Sequence, residues 1–202
     1  MSRRRIDASS WFENDVDFER RLVYMGSFTD DESLAAGIDH RLSERVIKAL
    51  IALDLQAPEG DKPITILLNN CGGDVYHGLA IFDAIMSCRN NVTILVYGAA
   101  FSMAAIVLQA ADHRVMAPNS RLMIHYGTDG AYDHPKIVRK WIEEGKKIDK
   151  ITEDILLERI QQNHPDFTRH QLRRMLEFDS ILSAKESVEL GLADEILGEE
   201  RK

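Results

Sequence analysis

Ser102 is the residue of this 202-residue chain best placed to act as a nucleophile. It follows an uncharged, β-branched stretch, Val92-Thr-Ile-Leu-Val-Tyr97, and precedes a run rich in helix formers. A serine there lies where a buried strand turns into a buried helix. Amide groups at a helix start are unpaired and the helix dipole favours negative charge, so the amide of Met103 is positioned to hold an oxyanion forming on a carbonyl attacked by Ser102. The small neighbours Gly98, Ala99, Ala100 and Ala104 leave room for a peptide to approach. Serine is also a favoured helix N-cap, and this segment alone leaves both roles open.

Two further features belong to the same edge of the chain's strands. Gly72-Gly73 follows the apolar stretch Pro63-Ile-Thr-Ile-Leu-Leu-Asn69. The pair reads either as a turn with positive φ or as backbone amides offered to a ligand or oxyanion at the carboxyl edge of a sheet. Asp74 and the lack of a Gly-Lys-Ser/Thr sequence argue against a phosphate loop. His125 ends Leu122-Met-Ile-His125, where an imidazole can serve as general base or simply as a satisfied strand-end side chain. The other six histidines, His40, His77, His113, His134, His164 and His170, sit in polar surroundings, and most read as solvated surface residues. No His-Glu-x-x-His or comparable cluster occurs, so neither a metal nor a cofactor is expected. Asp129, Asp133, Asp149, Asp166, Asp179 and Asp194 are all candidates to orient His125. Asp179 opens a short apolar β-like stretch and is expected to be partly buried, which suits a residue that fixes a histidine tautomer.

The elements that must position these groups are legible from periodicity. Arg21-Leu-Val-Tyr-Met-Gly26 reads as a strand. Thr29-Asp-Asp-Glu32 reads as a capping box opening a helix with Leu34, Ile38, Leu42, Val46, Leu50 and Leu53 on one face, ending before Pro58. Residues 63–69 form an almost wholly apolar strand, expected to be covered on both faces. Residues 75–88 return to helical spacing. The strand–turn–helix unit recurs over 92–111, with the helix starting at Ala99; this run is as long as a membrane span, but its mid-course change of character favours a strand and a helix. Short β candidates follow at 114–116 and 121–125. Pro135 opens a helix reaching about residue 162, which at 1.5 Å per residue is ~42 Å long, so it either kinks near Gly145 or projects and finds a partner. A helix over 168–177 and a last one boxed by Ser183 and Glu186 complete the chain. Strands alternating with helices argue an α/β fold in one domain with a projecting helical arm.

The composition is that of an ordinary globular chain, 45% apolar and 29% charged. A net charge of −8 disfavours nucleic acid as a partner. The two cysteines, Cys71 and Cys88, have no metal-ligand spacing and point to a reducing, cytoplasmic setting. No secretory signal or membrane anchor is expected.

Taken together, Gly98-Ala-Ala-Phe-Ser102-Met-Ala, Pro118-Asn-Ser-Arg-Leu-Met-Ile-His125, and Asp179-Ser-Ile-Leu-Ser-Ala184 followed by Glu189-Leu-Gly-Leu-Ala-Asp194 resemble the ClpP family of self-compartmentalised serine peptidases. The likeness runs from about residue 17 to 197. It implies a ClpP/crotonase-like fold, a Ser102–His125–Asp179 triad, and an oxyanion hole from the amides of Gly73 and Met103. It also implies polypeptide substrates, a homo-oligomer of two stacked heptameric rings interleaved by a handle helix over about 135–162, and feeding by an AAA+ Clp ATPase. On this reading residues 17–197 are one peptidase domain, and residues 1–16 are a gate, a leader or a disordered tail. The chain departs from the family pattern at Tyr126-Gly127 (usually Gln-Pro), Cys71 (Pro), Phe178 (an inter-ring Arg), Leu67 (a docking-pocket Tyr) and Asp129-Gly130 (a glycine pair). Two competing readings follow: a structural or regulatory subunit of the same fold with little activity, and a crotonase-like acyl-CoA enzyme with a backbone oxyanion hole.

Overall fold

The computed structural model describes residues 8–27, 37–57, 62–127 and 133–199. The chain runs through α1 (Ala8–Asn14), β1 (Val16–Asp17), β2 (Leu22–Gly26), α2 (His40–Leu55), β3 (Ile64–Asn70), α3 (Val75–Met86), β4 (Val92–Phe101) and α4 (Met103–Leu108). It continues with β5 (His113–Met116), β6 (Arg121–Ile124), α5 (Pro135–Asn163), α6 (Arg169–Leu176), β7 (Ser180–Ser183), α7 (Ala184–Leu190) and β8 (Glu195–Ile196). The mixed α/β fold and the long helix agree with the sequence reading. The elements α1, β1 and β8 are too short to leave a periodic signal.

One sheet organises the molecule, in the order β1-β2-β3-β4-β5-β8, and β6 branches from β4 to carry β7. The pairs β2–β3, β3–β4, β4–β5 and β4–β6 are parallel, whereas β6–β7 is antiparallel. Ile64, Ile66 and Leu68 on β3 and Val92, Ile94 and Val96 on β4 are fully buried, alternating with half-buried residues. Within the single chain, therefore, one face of the sheet is closed and the other is not, contrary to the expectation for residues 63–69. Each fully buried aliphatic side chain contributes about 1.5–3 kcal/mol.

Two local expectations are corrected, and the choice left open for the long helix is decided. Helix α2 starts at His40, capped by Asp39, whose carboxylate accepts from the Leu42 amide at 2.8 Å. Ile38 is not on that helix but bridges Gly73: its amide donates to the Gly72 carbonyl at 2.7 Å and its carbonyl accepts from the Asp74 amide at 2.8 Å. The expected box at Thr29 and Glu32, with Leu34 and Pro58, lies outside the described residues. Next, β4 does not stop at Gly98. At φ 78° Gly98 bends the strand, a Cβ there would lie 2.6 Å from Asn69 Oδ1, and the Ala99 amide donates to that same oxygen at 3.1 Å. Residues 99–101 then pair with β6 instead of entering a helix, so α4 begins only at Met103. Finally, α5 passes through Gly145 without a break and, at 29 residues, is about 44 Å long. Its buried residues, Glu153, Leu156, Leu157 and Ile160, all lie in its second half, while Ile137, Trp141, Ile142 and Ile151 are exposed. The helix projects.

A buried carboxylate fastens α2 to the turn before β4. Asp54 accepts from Arg89 Nε at 2.9 Å, from the amides of Arg89 and Asn90 at 3.0 Å each, and from Asn90 Nδ2 at 2.9 Å. Burial pushes its carboxyl upward from 3.8, but these donors outweigh it and hold the group at about 2. A carboxylate with a lowered folded pKa adds stability above pH about 4, and that stability is lost as the pH falls towards 2. Thermal melts should therefore drop steeply between pH 4 and pH 2, and Asp54→Asn should flatten that part of the profile while lowering the melting temperature at neutral pH.

Candidate active site

Strand register brings three side chains together. Phe101 on β4 pairs with Met123 on β6, so Ser102 and the end of β6 leave the sheet side by side. Ile124 pairs with Ser180 in the antiparallel β6–β7 ladder, which places His125 and Asp179, one step further along, opposite each other. The Ser102 amide is tied to the Met123 carbonyl at 2.8 Å. The result is a continuous chain of hydrogen bonds: Ser102 Oγ to His125 Nε2 at 2.8 Å, and His125 Nδ1 to Asp179 Oδ1 at 2.8 Å.

The two roles left open for Ser102 now separate. It occupies the N-cap position of α4, but its side chain makes no capping bond and is directed to His125. Its backbone has φ 53° and ψ −123°, a region that a residue with a Cβ occupies only under strain of about 1–3 kcal/mol. The sharp strand-to-helix turn produces that strain, and it lifts the hydroxyl out of the capping position.

The Gly72-Gly73 turn packs against this strained corner. A Cβ on Gly72 (φ 92°) would sit 2.7 Å from both the Phe101 carbonyl oxygen and Ser102 Cβ. Only a glycine permits that approach. Asn70 holds the turn through Oδ1, which accepts from the Gly72 amide at 2.8 Å. The amides of Gly73 and Met103 donate to no other group among the described residues. Both residues line one cavity of about 600 Å³ with Ser102 and His125, and Trp141, Ile142 and Ile148 of α5 line it as well.

Asp179 departs from expectation: its side chain is 66% exposed in the single chain, not partly buried. It precedes β7 instead of starting it, so no strand neighbour covers it. Of the other carboxylates weighed, Asp194 is engaged by Arg114 at 2.6 Å, Asp133 and Asp149 line the cavity, Asp166 lies between α5 and α6, and Asp129 falls outside the described residues with Gly130. Several histidines are less idle than their polar surroundings suggest. His77 Nδ1 lies 3.2 Å from Ser43 Oγ, His164 Nε2 donates to the Glu189 carbonyl at 2.6 Å, and His113 is 3.4 Å from Glu195.

One feature of the site escaped sequence reasoning. Tyr126, next to His125, donates through its hydroxyl to Glu153 Oε1 at 2.5 Å, and Arg169 and Arg173 reach the same carboxylate. Glu153 stands amid the dense charge of α5, so nothing in its local sequence marks it as buried.

Among the described residues no group of three or more His, Cys, Asp or Glu could hold a metal ion, and no helix is long and apolar enough to cross a membrane. At the positions where the sequence departs from the family pattern, Phe178 is 77% exposed, Cys71 is exposed and Leu67 is half-buried.

Comparison with known proteins gives a consistent result. A model of the Clp protease family matches residues 25–200. The chain is 31% identical over 184 residues to the ATP-dependent Clp protease proteolytic subunit of Deinococcus radiodurans, covering 90% of this chain and 82% of that protein. It is 32% identical over 165 residues to the subunit of the same name from Chlorella vulgaris, covering 81% and 79%. It is 30% identical over 185 residues to ATP-dependent Clp protease proteolytic subunit 1 of Corynebacterium glutamicum, covering 89% and 80%.

Proposed function

The chain belongs to the Clp protease family, and on that premise we propose that it is a serine endopeptidase in which Ser102, His125 and Asp179 act as one catalytic unit. The observation that carries the reading is the unbroken Ser102–His125–Asp179 hydrogen-bond chain, built on a serine that occupies a capping position without capping. His125 Nδ1–H donates to Asp179, which leaves the Nε2 lone pair facing Ser102. As Ser102 Oγ attacks the peptide carbonyl, its proton passes to Nε2. The tetrahedral oxyanion is held by the amides of Gly73 and Met103. Collapse breaks the C–N bond, the imidazolium returns the proton to the leaving amine, and water activated by His125 hydrolyses the acyl-enzyme. Every bond made and broken is served by the chain's own groups, and no step calls for a cofactor.

The substrate is an extended or unfolded polypeptide, cleaved inside a closed chamber of two stacked heptameric rings and fed by an AAA+ unfoldase. The projecting half of α5, with Ile137, Trp141 and Ile142 exposed, supports an assembled state, because so much apolar surface on one arm calls for a partner. The names of the relatives, which are ATP-dependent, support the ATPase partner. A cytoplasmic setting is supported by two free cysteines.

The test is intact-mass measurement after treatment with a fluorophosphonate. A single adduct is expected on the wild type and none on Ser102→Ala. A wild type that takes no adduct in any isolated oligomer overturns the peptidase reading in favour of a structural subunit.

A further inference from the structure

His125 and Asp179 come from different elements; the β6–β7 register sets them opposite each other, but both stand one residue beyond its last pair, so no ladder hydrogen bond holds them there. A second set of contacts spans the same gap from behind. The Tyr126 amide donates to the Leu176 carbonyl at 2.8 Å, and the Tyr126 hydroxyl donates to Glu153 Oε1 at 2.5 Å. Arg173 Nε donates to the same Glu153 oxygen at 3.0 Å, and Arg169 Nη1 donates to Glu153 Oε2 at 2.9 Å. Both arginines lie on α6, which ends at Leu176, three residues before Asp179. One carboxylate of the handle helix thus gathers the residue after the histidine and the helix before the aspartate.

The energetics favour a rigid device. Glu153 is only 3% exposed, and a buried carboxylate deprived of donors costs several kcal/mol, so its three partners cannot drift independently. Burial pushes its carboxyl upward, but the hydrogen bonds from Arg173, Tyr126 and Arg169 outweigh burial and hold it ionised. Burial first, and Glu153 second, push the Tyr126 hydroxyl up to about 12, so it remains a proton donor at any working pH. Around the cluster, Asp149 faces Tyr126, while Asp154 pairs with both Arg169 and Lys150.

We propose that Tyr126, Glu153, Arg169 and Arg173 form a positioning cluster that sets the distance between His125 and Asp179, so that the triad is held in register from within one subunit. Among the described residues none of the four is hydrogen-bonded to Ser102, and they act through the two residues they flank. The proposal rests on the reading of Ser102, His125 and Asp179 as the catalytic unit.

The test uses the full-length assembled protein and three variants: Tyr126→Phe, Arg173→Ala and Arg173→Lys. Tyr126→Phe removes one hydrogen bond and leaves Glu153 its two arginines, and Arg173 is 54% exposed, so the variants should fold. Two quantities are read beside the melting temperature. One is the rate of fluorophosphonate modification of Ser102. The other is the low-field proton NMR signal of the His125 Nδ1–H held against Asp179, which reports geometry whether or not the enzyme turns over. Tyr126→Phe and Arg173→Ala should each slow modification roughly tenfold, as expected for a small misplacement of reacting groups, and weaken the low-field signal. Arg173→Lys should recover most of both. The double variant should lose less than the product of the single losses, because both act through one carboxylate. A low-field signal unchanged in Tyr126→Phe and Arg173→Ala overturns the proposal, even if the melting temperature falls. If wild-type Ser102 takes no adduct, the peptidase reading fails, and the NMR signal still decides the positioning role.

Discussion

Ser102→Ala should lower kcat/KM for peptide cleavage by about 10⁶-fold, because in a serine–histidine–aspartate unit loss of the nucleophile costs about as much as loss of the whole unit. A residual rate of about 10³–10⁴ over water should survive, carried by substrate binding and the amides of Gly73 and Met103. The substitution should not impair folding: Ser102 Oγ caps nothing, and among the described residues its one side-chain partner is His125. The backbone supplies an independent check. Alanine inherits the φ of 53° with its strain of about 1–3 kcal/mol, whereas glycine escapes it. Glycine's extra unfolded-state freedom costs only about 0.5–1 kcal/mol, so strain relief wins. Ser102→Gly should therefore be as inactive as Ser102→Ala but melt higher, by about 2–4 °C for each kcal/mol gained. A Ser102→Gly that melts below Ser102→Ala would mean that the corner is not strained. Substantial cleavage by either variant would place the chemistry elsewhere.

The sequence revealed those parts of the site that rest on local pattern. The apolar run of β3, the glycine pair behind it and the boxed start of α7 each announce themselves within a few residues, and the structure places them accordingly. Ser102 was identifiable because a strand and a helix must meet near it. The point at which they meet is not a local property. Ala99 and Ala100 have high helix propensity, but the bend at Gly98, the Asn69 side chain and the β6 edge offer their backbone a ladder instead, and tertiary pairing overrides propensity. That same pairing is what puts His125 beside Ser102. Asp179 could be ranked among six aspartates only weakly, because its position depends on an antiparallel register with β6 that no local signal encodes. Glu153 and its arginines were invisible for a related reason: in a helix rich in charge, only the docking of α6 decides which carboxylate is buried.

Asp179→Asn should lower kcat by about 10², and the size of the loss carries more information than its direction. In a buried triad the same exchange costs about 10⁴, because the amide is held so that histidine is forced into the tautomer unable to accept the serine proton. Here the Asp179 side chain is 66% exposed, and its carboxylate has one hydrogen bond among the described contacts, to His125 Nδ1. Nothing fixes an asparagine amide in that place, so it can turn its oxygen to Nδ1–H and preserve the useful tautomer. What disappears is the charge. A charge-assisted hydrogen bond exceeds a neutral one by about 1–2 kcal/mol, and the imidazolium that develops in the transition state leans on that charge most, which brings the loss to roughly 2–3 kcal/mol, or about 10² in rate. Stability should be unaffected, since an exposed pair contributes little to folding. The comparison should be made on isolated oligomers of defined size, with kcat and KM separated. A loss near 10⁴ would mean that Asp179 is enclosed in the working enzyme and that a neighbouring subunit supplies the wall absent from the single chain. A loss below tenfold would mean that Asp179 neither orients nor supports His125, and the triad would reduce to a Ser102–His125 pair.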